Sequence, residues 1–287
     1  MLTYPLRLAG ILFSIDSQRA LEVDDFLTDF IVPDALPDVS VTVSWDWDDS
    51  LVPSSEPLGE DLICRYFRVG DRFCCYTRGG PKGPVACSFY SEDCRDIVCY
   101  MNEKPFIAPP HNLGSILRMI PIRAIFQRFG VIFFHASQIL FHGRGILFTA
   151  PSGTGKSTQA KLWRECRGAS ILCGDRTLAR FRDGWVTFGY PLDGSEPVRT
   201  TGSVPLGAVV LLAQGESNFV ERLHPLRGAA SLIEQTVIDT WNPAAKTSAL
   251  QLILSMMESV PVYRLVCTPD ERAVNILEKK FIEDGVI

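Results

Sequence analysis

One stretch decides the fold: Ile146-Leu-Phe-Thr-Ala-Pro-Ser-Gly-Thr-Gly-Lys-Ser-Thr-Gln-Ala-Lys-Leu-Trp163. It opens with an apolar run typical of a buried strand, passes through two closely spaced glycines and continues with the spacing of an amphipathic helix. Residues 150–157, which we call the glycine turn, read Ala-x-x-x-x-Gly-Lys-Ser. This differs from the Walker A pattern only in the alanine at its first position, where a small residue is kept. The stretch therefore predicts a phosphate-binding turn between a strand and a helix.

Each residue type in this pattern has a physical role toward a nucleotide. Gly153 and Gly155 permit backbone angles that aim successive N–H groups at phosphate oxygens, and the dipole of the following helix favours anions. Lys156 is expected to reach the β- and γ-phosphates, and the Ser157 hydroxyl is expected to ligate Mg²⁺. The expected ligands are therefore ATP and Mg²⁺, with ATP held by Ser152, Gly153, Thr154, Gly155, Lys156, Ser157 and Thr158.

Two alternatives to an ATP site are disfavoured. A chance glycine turn is one, but the strand predicted before residue 150 and the helix predicted after it argue against coincidence. Other nucleotide-binding classes carry signatures that this chain lacks: it has neither Asn-Lys-x-Asp, typical of Ras-type GTPases, nor Leu-Ser-Gly-Gly-Gln, typical of transporter ATPases.

The residues around the glycine turn predict a mixed sheet. Residues 131–141 and 146–149 have strand patterns and are joined by a turn at 142–145, so an antiparallel hairpin leads into the glycine turn. The fold class expected is α/β with a mixed α+β sheet. Further strands are predicted near residues 171–173, 177–181, 185–188, 208–212 and 262–266, and helices near 226–240, 246–258 and 269–282.

The first part of the chain predicts a separate, β-rich domain. Residues 41–47 and 64–69 alternate β-branched or aromatic residues with polar ones, which is typical of strands. Residues 104–112 are rich in proline and read as a linker, and helical spacing follows at 113–129 with an interruption at Pro121. We expect a β-rich domain at 1–112, the candidate for substrate recognition, and a catalytic domain at 113–287.

The composition of the chain argues against two classes of partner, nucleic acids and membranes. The 28 basic and 33 acidic residues give a net charge of -5, and no basic run is long enough to follow a nucleic-acid backbone. No apolar run approaches the roughly 20 residues that cross a bilayer. Because residues 1–16 lack the pattern of a secretory signal, we expect a cytoplasmic protein with neither nucleic-acid nor membrane partners.

Six of the nine cysteines lie between Cys64 and Cys99. A zinc site is the minority interpretation, because no Cys-x-x-Cys pair occurs among them and the histidine spacings match no zinc module. The favoured interpretation is that they are free thiols acting as small buried apolar groups on strands.

Taken together, the second half of the chain resembles the catalytic domain of HPr kinase/phosphorylase and its relatives, which share a fold with PEP carboxykinase. The resemblance covers roughly residues 115–287. It rests on the hairpin before the glycine turn, on His135 at 21 residues before Lys156, and on Asp175-Arg176 beginning 19 residues after Lys156. The loop Gly-Tyr-Pro-Leu-Asp-Gly-Ser-Glu-Pro at 189–197 is similar to a Gly-x-Pro-x-x-Gly-x-Glu loop of that family.

The resemblance implies roles for further residues. In that family an acidic pair follows the phosphate-binding helix, and one carboxylate takes the proton of the accepting hydroxyl. Here Gly174 stands at the first acidic position, so Asp175 is the candidate for the base or for orienting Mg²⁺, and Glu196 is the next candidate to hold metal or acceptor. Arg176 either adds positive charge at the γ-phosphate or forms a structural ion pair. His135 either meets phosphate or carboxylate, or is a hydrogen-bonded core histidine.

The resemblance also implies what is phosphorylated. The leading expectation is an ATP-dependent kinase acting on a serine or threonine hydroxyl of a peptide or small protein, assembled as a homo-oligomer. The alternatives are a nucleotide-binding regulatory protein without phosphotransfer, which the glycine at 174 favours, and a kinase of a small hydroxylated metabolite.

Overall fold

The computed structural model describes residues 1–33, 35–79, 83–107, 111–192 and 201–287. The chain forms two compact units, one made of Met1–Phe129 with Asp239–Pro243, and the other of Gly130–Ile238 with Ala244–Ile287. We call these the first and the second unit.

The described part of the first unit is built on one mixed sheet of eight strands in the order β1-β2-β3-β8-β7-β6-β5-β4. The β2–β3 and β3–β8 pairs are parallel, and the other pairs are antiparallel. Period-two burial follows the sequence: along β3 the three valines are buried while Ser40 faces solvent. The strands are β1 Leu2–Leu8, β2 Ile11–Ser17, β3 Val39–Ser44, β4 Gly59–Glu60, β5 Cys64–Val69, β6 Arg72–Thr77, β7 Ala86–Tyr90 and β8 Asp96–Met101.

The expected free thiols are present in this unit. All six cysteines between Cys64 and Cys99 are free and buried. Among the described residues, no group of three or more His, Cys, Asp or Glu side chains is placed to hold a metal ion. The unit also contains short 3-10 helices at Asp25–Phe30 and Asp49–Leu51.

Two short helices, α1 (Leu113–Met119) and α2 (Ile122–Arg128), complete the first unit. The Asn112 side chain caps α1 by accepting the N–H of Ser115, and Pro121 separates the two helices as its position predicts. The division after Phe129 therefore differs from the boundary expected at residue 112.

Contacts of α1 and α2 explain that difference. The Gly114 N–H donates to the Asp24 carboxylate at 2.7 Å, and the Ser88 hydroxyl donates to the Met119 carbonyl at 2.7 Å. Arg123 of α2 pairs with Asp61. These partners are distant in sequence from α1 and α2. The proline-rich composition of residues 104–112 predicted a linker, but it could not predict that the two helices after it pack on the first unit.

The second unit contains the predicted mixed sheet, in the order β10-β9-β12-β13-β14-β16-β15, with β11 on β9. β14 pairs with β13 through Val204 and Pro205 and with β10 further along, so β9, β10, β12, β13 and β14 form a closed ring of pairings. Only the β10–β14 and β14–β16 pairs are parallel among those described. The strands are β9 Val131–Phe141, β10 Arg144–Thr149, β11 Ser170–Cys173, β12 Arg176–Phe181, β13 Trp185–Gly189, β14 Val204–Gln214, β15 Phe219–Arg222 and β16 Val262–Cys267.

Helices cover both faces of this sheet. They are α3 Lys156–Arg167, α4 Pro225–Ile233, α5 Pro243–Met257 and α6 Glu271–Glu283. Trp163 of α3 and Phe281 of α6 share a core with Phe148 on one face. Leu232 of α4 and Ile253 of α5 share a second core on the other face. Because β10 and β14 are covered on both sides, their sequences are continuously apolar instead of alternating.

The hairpin predicted to lead into the glycine turn is confirmed. β9 and β10 pair antiparallel from Arg144 opposite Phe141 to Thr149 opposite Ala136, and the connection passes through His142 and Gly143 at positive φ. β10 then ends directly before the glycine turn. No helix within the described ranges is long and apolar enough to cross a bilayer.

Candidate functional site

The glycine turn has the backbone conformation that its two glycines permit. Gly153 has φ 79° and Gly155 has φ 117°, and a Cβ built on either residue meets nothing within 4 Å. The glycines are thus required by backbone angle rather than by crowding. Pro151, Ser152 and Gly153 are exposed, so the turn is open rather than packed with side chains.

Helix α3 begins inside the turn. Its first intrahelical bond runs from the Gln159 N–H to the Gly155 carbonyl at 2.9 Å. The N–H groups of Lys156, Ser157 and Thr158 precede that bond and lie at the positive end of the helix dipole. Open backbone donors together with the dipole make this end of α3 suited to an anion.

The Lys156 ammonium lies at the base of the turn. Its Nζ donates to the Ala150 carbonyl at 2.9 Å and lies 3.4 Å from the Pro151 carbonyl oxygen, and the residue is only 7% exposed. Burial lowers the pKa of Lys156, and the negative charge of Asp175 offsets part of that shift. A buried ammonium beside an open turn supplies positive charge to whatever anion the turn receives.

Asp175 stands directly before β12 and is flanked by two basic side chains. His135 Nε2 lies 2.8 Å from Asp175 Oδ1, and Arg176 Nε lies 3.7 Å from Asp175 Oδ2. The pairing of β9 with β12 sets this arrangement, because His135 and Arg176 are opposite each other in register. The Asp175 side chain is 40% exposed, so the carboxylate is accessible while its orientation is restrained.

Three further residues hold the site and were missed by the sequence interpretation. The Thr149 hydroxyl donates to the His135 carbonyl at 2.8 Å, which ties the end of β10 to β9. The His135 N–H donates to the Gln235 carbonyl at 2.9 Å. The Ser137 hydroxyl donates to the carbonyl of Gly174 at 2.6 Å. These bonds fix the middle of β9, which carries His135, and the residue before Asp175, just ahead of the start of β12.

A fourth missed residue, Gln214, reaches the turn from the end of β14, where its Nε2 lies 3.4 Å from the Gly153 carbonyl oxygen. Behind the turn, the Gln159 amide of α3 lies 3.3 Å from the sulfur of Cys267. Both contacts attach the glycine turn and its helix to neighbouring strand ends.

The structure therefore brings together most of the predicted site residues. Lys156, Asp175, His135 and Arg176 are linked by direct contact or by charge, and Ser157 and Thr158 are exposed at the start of α3. Arg176 also lies over the Phe133 ring, with its Cζ 5.7 Å from the ring centroid. Glu196 and most of the loop at 189–197 lie outside the described residues.

The fold and this geometry define a mixed α/β protein with a glycine turn between a strand and a helix, and with a carboxylate at a neighbouring strand end. Residues 112–282 match the family model described as "SynChlorMet cassette protein ScmC". Since this match spans more than half of the chain, the protein belongs to that family. No curated protein matches the chain.

Proposed function

We propose that this chain is a cytoplasmic, ATP-dependent kinase of HPr kinase-like type that transfers the γ-phosphate to a serine or threonine hydroxyl on a peptide or small protein. The observation that carries the proposal is the open glycine turn at the start of α3, with the Lys156 ammonium at its base and the Asp175 carboxylate close enough to influence the Lys156 pKa. An anion-binding turn alone would suit many ligands. A restrained carboxylate beside it adds a group that accepts a proton.

The residues of the turn fit ATP. The backbone N–H groups at 153–158 hold phosphate oxygens, and Lys156 neutralises charge on the terminal phosphates. The open space around Gly153 and Gly155 leaves room for a phosphate chain at backbone distance. Mg²⁺, when bound by the Ser157 hydroxyl and Asp175, supplies further charge neutralisation at the phosphates.

Asp175 is assigned as the base that accepts the proton of the substrate hydroxyl. His135 orients it through the 2.8 Å contact to Oδ1, which leaves Oδ2 on the side of Arg176. Arg176 adds positive charge near the transferred group. Phosphoryl transfer asks the protein mainly for alignment and charge compensation, so a few well-held groups suffice.

Nucleotide binding is tested by the melting temperature with and without MgATP. A ligand that binds only the folded state stabilises it by about 2.7 kcal/mol at one hundred times its Kd. We expect MgATP to raise the melting temperature of the wild type and of Lys161→Ala, an exposed position on the same helix, and to have no effect on Lys156→Ala. No shift in the wild type would remove the proposal.

A nucleotide-binding regulator without phosphotransfer is the second candidate. One observation favours it: Gly174 occupies the first position of the family's acidic pair, and its carbonyl accepts a hydrogen bond from Ser137. The two candidates are separated by Asp175→Asn, with Asp183→Asn at an exposed turn as the control. In a kinase, the Asp175 variant still binds MgATP, with a smaller shift because one Mg²⁺ ligand is weakened, and loses transfer of ³²P from γ-labelled ATP to hydroxyl peptides. In a regulator, wild type and both variants bind MgATP and none labels a peptide.

A further inference from the structure

A cavity of 470 Å³ opens beside the glycine turn. It lies between the carboxyl end of β14, the helix α4 and the strands β15 and β16 of the second unit. Its apolar floor includes Leu211, Leu212 and Leu223. The volume is within the usual range of ligand-binding cavities, about 300–1,000 Å³. We call it the α4 cavity.

Two residues that line the α4 cavity also contact the candidate site. Pro151 lines it, and the Pro151 carbonyl oxygen is 3.4 Å from the Lys156 ammonium. Gln235 also lines it, and the Gln235 carbonyl accepts the His135 N–H. Because Lys156 serves the terminal phosphates, this cavity lies at the end of the site where an acceptor hydroxyl must approach.

The charges that line the α4 cavity are of both signs. Glu221 and Arg264 pair with each other at 3.6 Å, so they largely satisfy one another. Arg227 and Glu234, in contrast, have no ion-pair partner among the described residues. Arg227 lies on α4, and Glu234, seven positions later, directly follows the last residue of α4 and keeps helical backbone angles. Seven residues are about two turns, so the two side chains lie on one face with Cα atoms about 10 Å apart.

This pattern suits a peptide better than a nucleotide. A nucleoside has no charged group at neutral pH, and a phosphate chain carries negative charge alone, so neither pairs with both Arg227 and Glu234. A peptide carries carboxylate and ammonium groups on one backbone. In an extended segment three residues span about 10 Å, which matches the separation of the Arg227 and Glu234 Cα atoms.

We propose that the α4 cavity is the acceptor subsite, and that it takes an extended peptide whose phosphorylated hydroxyl residue has an acidic and a basic residue within about three positions of each other, paired with Arg227 and Glu234. This inference rests on the proposed kinase function. It adds the class of substrate: a hydroxyl-containing peptide segment of mixed charge over an apolar floor.

The test uses synthetic serine peptides and the full chain with γ-labelled MgATP. The set contains acid-before-base, base-before-acid, all-acidic, all-basic and neutral sequences. We expect one mixed-charge order to be the preferred substrate. The Arg227→Glu/Glu234→Arg double variant exchanges the two charges and is expected to prefer the opposite order. Arg227 and Glu234 are exposed, so losing one of the two ion pairs in a single variant is expected to lower kcat/KM by about two- to fivefold.

Matched control variants and a measurement of nucleotide binding distinguish failure of the acceptor subsite from failure of the proposed kinase function. Lys279→Glu and Glu258→Arg change exposed charges on α6 and in the turn after α5, outside the α4 cavity, and are expected to leave the preference unchanged. Every variant is also melted with MgATP. Transfer without charge preference, or a preference unaffected by the double variant, would each overturn the acceptor subsite. Absence of any MgATP shift in the wild type, or an MgATP shift with no peptide labelled, would instead refute the proposed kinase function.

Discussion

Gly155 carries the strongest local constraint in the glycine turn. Its φ of 117° and ψ of 18° lie outside the regions that L-residues adopt readily, and residues forced into such regions cost about 1–3 kcal/mol. The same conformation lets α3 start with its first N–H groups open. The backbone conformation that only glycine adopts easily here is thus the same one that leaves the N–H groups of α3 open for the proposed phosphate binding.

We therefore expect Gly155→Ala to lower the free energy of unfolding by about 1–3 kcal/mol and to weaken the MgATP shift. Gly184→Ala is the matched control, since that turn glycine has no positive φ and a Cβ there also meets nothing within 4 Å. It should be neutral or stabilising by up to about 1 kcal/mol. Urea unfolding measures both; equal free energies for the two variants would contradict the conformational argument.

The sequence predicted the residues whose contacts are close in the chain, and it did not predict those whose contacts are distant. Gly155 and Lys156 were predicted because their roles depend on neighbours a few positions away. Thr149 and Ser137 hold carbonyls 14 and 37 positions away, and a hydroxyl in a strand sequence carries no sign of which carbonyl it will meet. The roles of His135 and Asp175 were expected from a resemblance, and their 2.8 Å contact is a property of strand pairing.

At the scale of elements, periodicity and turn chemistry predicted most of the second unit. The two exceptions have physical causes. β15 (Phe219–Arg222) is too short and too polar to show a period, and it exists because β16 offers it an edge. α4 was expected to run to residue 240 but ends at Ile233, since the following residues bond to β9, with the Val237 N–H donating to the Phe133 carbonyl.

One large side chain packs the helix that carries the glycine turn against the sheet. Trp163 is fully buried, with ring centroids 5.0 Å from Phe141 and 5.9 Å from Phe281. Within the described residues its indole N–H has no hydrogen-bond partner. Trp163 therefore stabilises the fold through packing against the sheet and not through a hydrogen bond.

Trp163→Ala is expected to lower the free energy of unfolding by about 3–5 kcal/mol, as for other large aromatic residues removed from a core. Trp163→Phe should cost less than half as much, because it retains ring packing and removes an unpaired N–H. Far-UV circular dichroism in urea gives both values. Ile282→Ala, 61% exposed on α6, is the control and should change little. A phenylalanine variant as unstable as the alanine variant would contradict the argument that ring packing accounts for the contribution of Trp163.

At the scale of the whole molecule, the partition of the chain was the hardest property to predict. Residues 239–243 return to the first unit after more than one hundred residues of the second. There Trp241 stacks on Tyr66 at 4.9 Å, and Asp239 pairs with Arg123 at 3.0 Å. Sequence patterns predict whether a segment is a helix, a strand or a loop. The placement of residues 239–243 in the first unit depends instead on an ion pair between a buried carboxylate and a residue distant in sequence.

The Asp239–Arg123 pair makes a pH-dependent prediction. Burial raises the pKa of Asp239, and the charge of Arg123 opposes that rise. Arg123→Met removes the opposing charge and leaves a buried carboxylate, a change that costs about 3–5 kcal/mol. Asp239→Asn in the same background should recover part of this loss, because the pair is then replaced rather than broken.

The direction of the pH dependence of stability follows from the number of protons bound by the folded and unfolded states. With a folded-state pKa above the ordinary 3.8, the folded protein binds more protons than the unfolded chain between those two values, so stability falls as pH rises through that interval. Losing Arg123 raises the folded pKa further. The penalty of Arg123→Met should therefore be smaller at about pH 4.5 than at pH 7, with Arg65→Met of a half-exposed pair as a control that varies little. Urea titrations at both pH values measure it, and a penalty independent of pH would mean that Asp239 does not carry its charge in the folded unit.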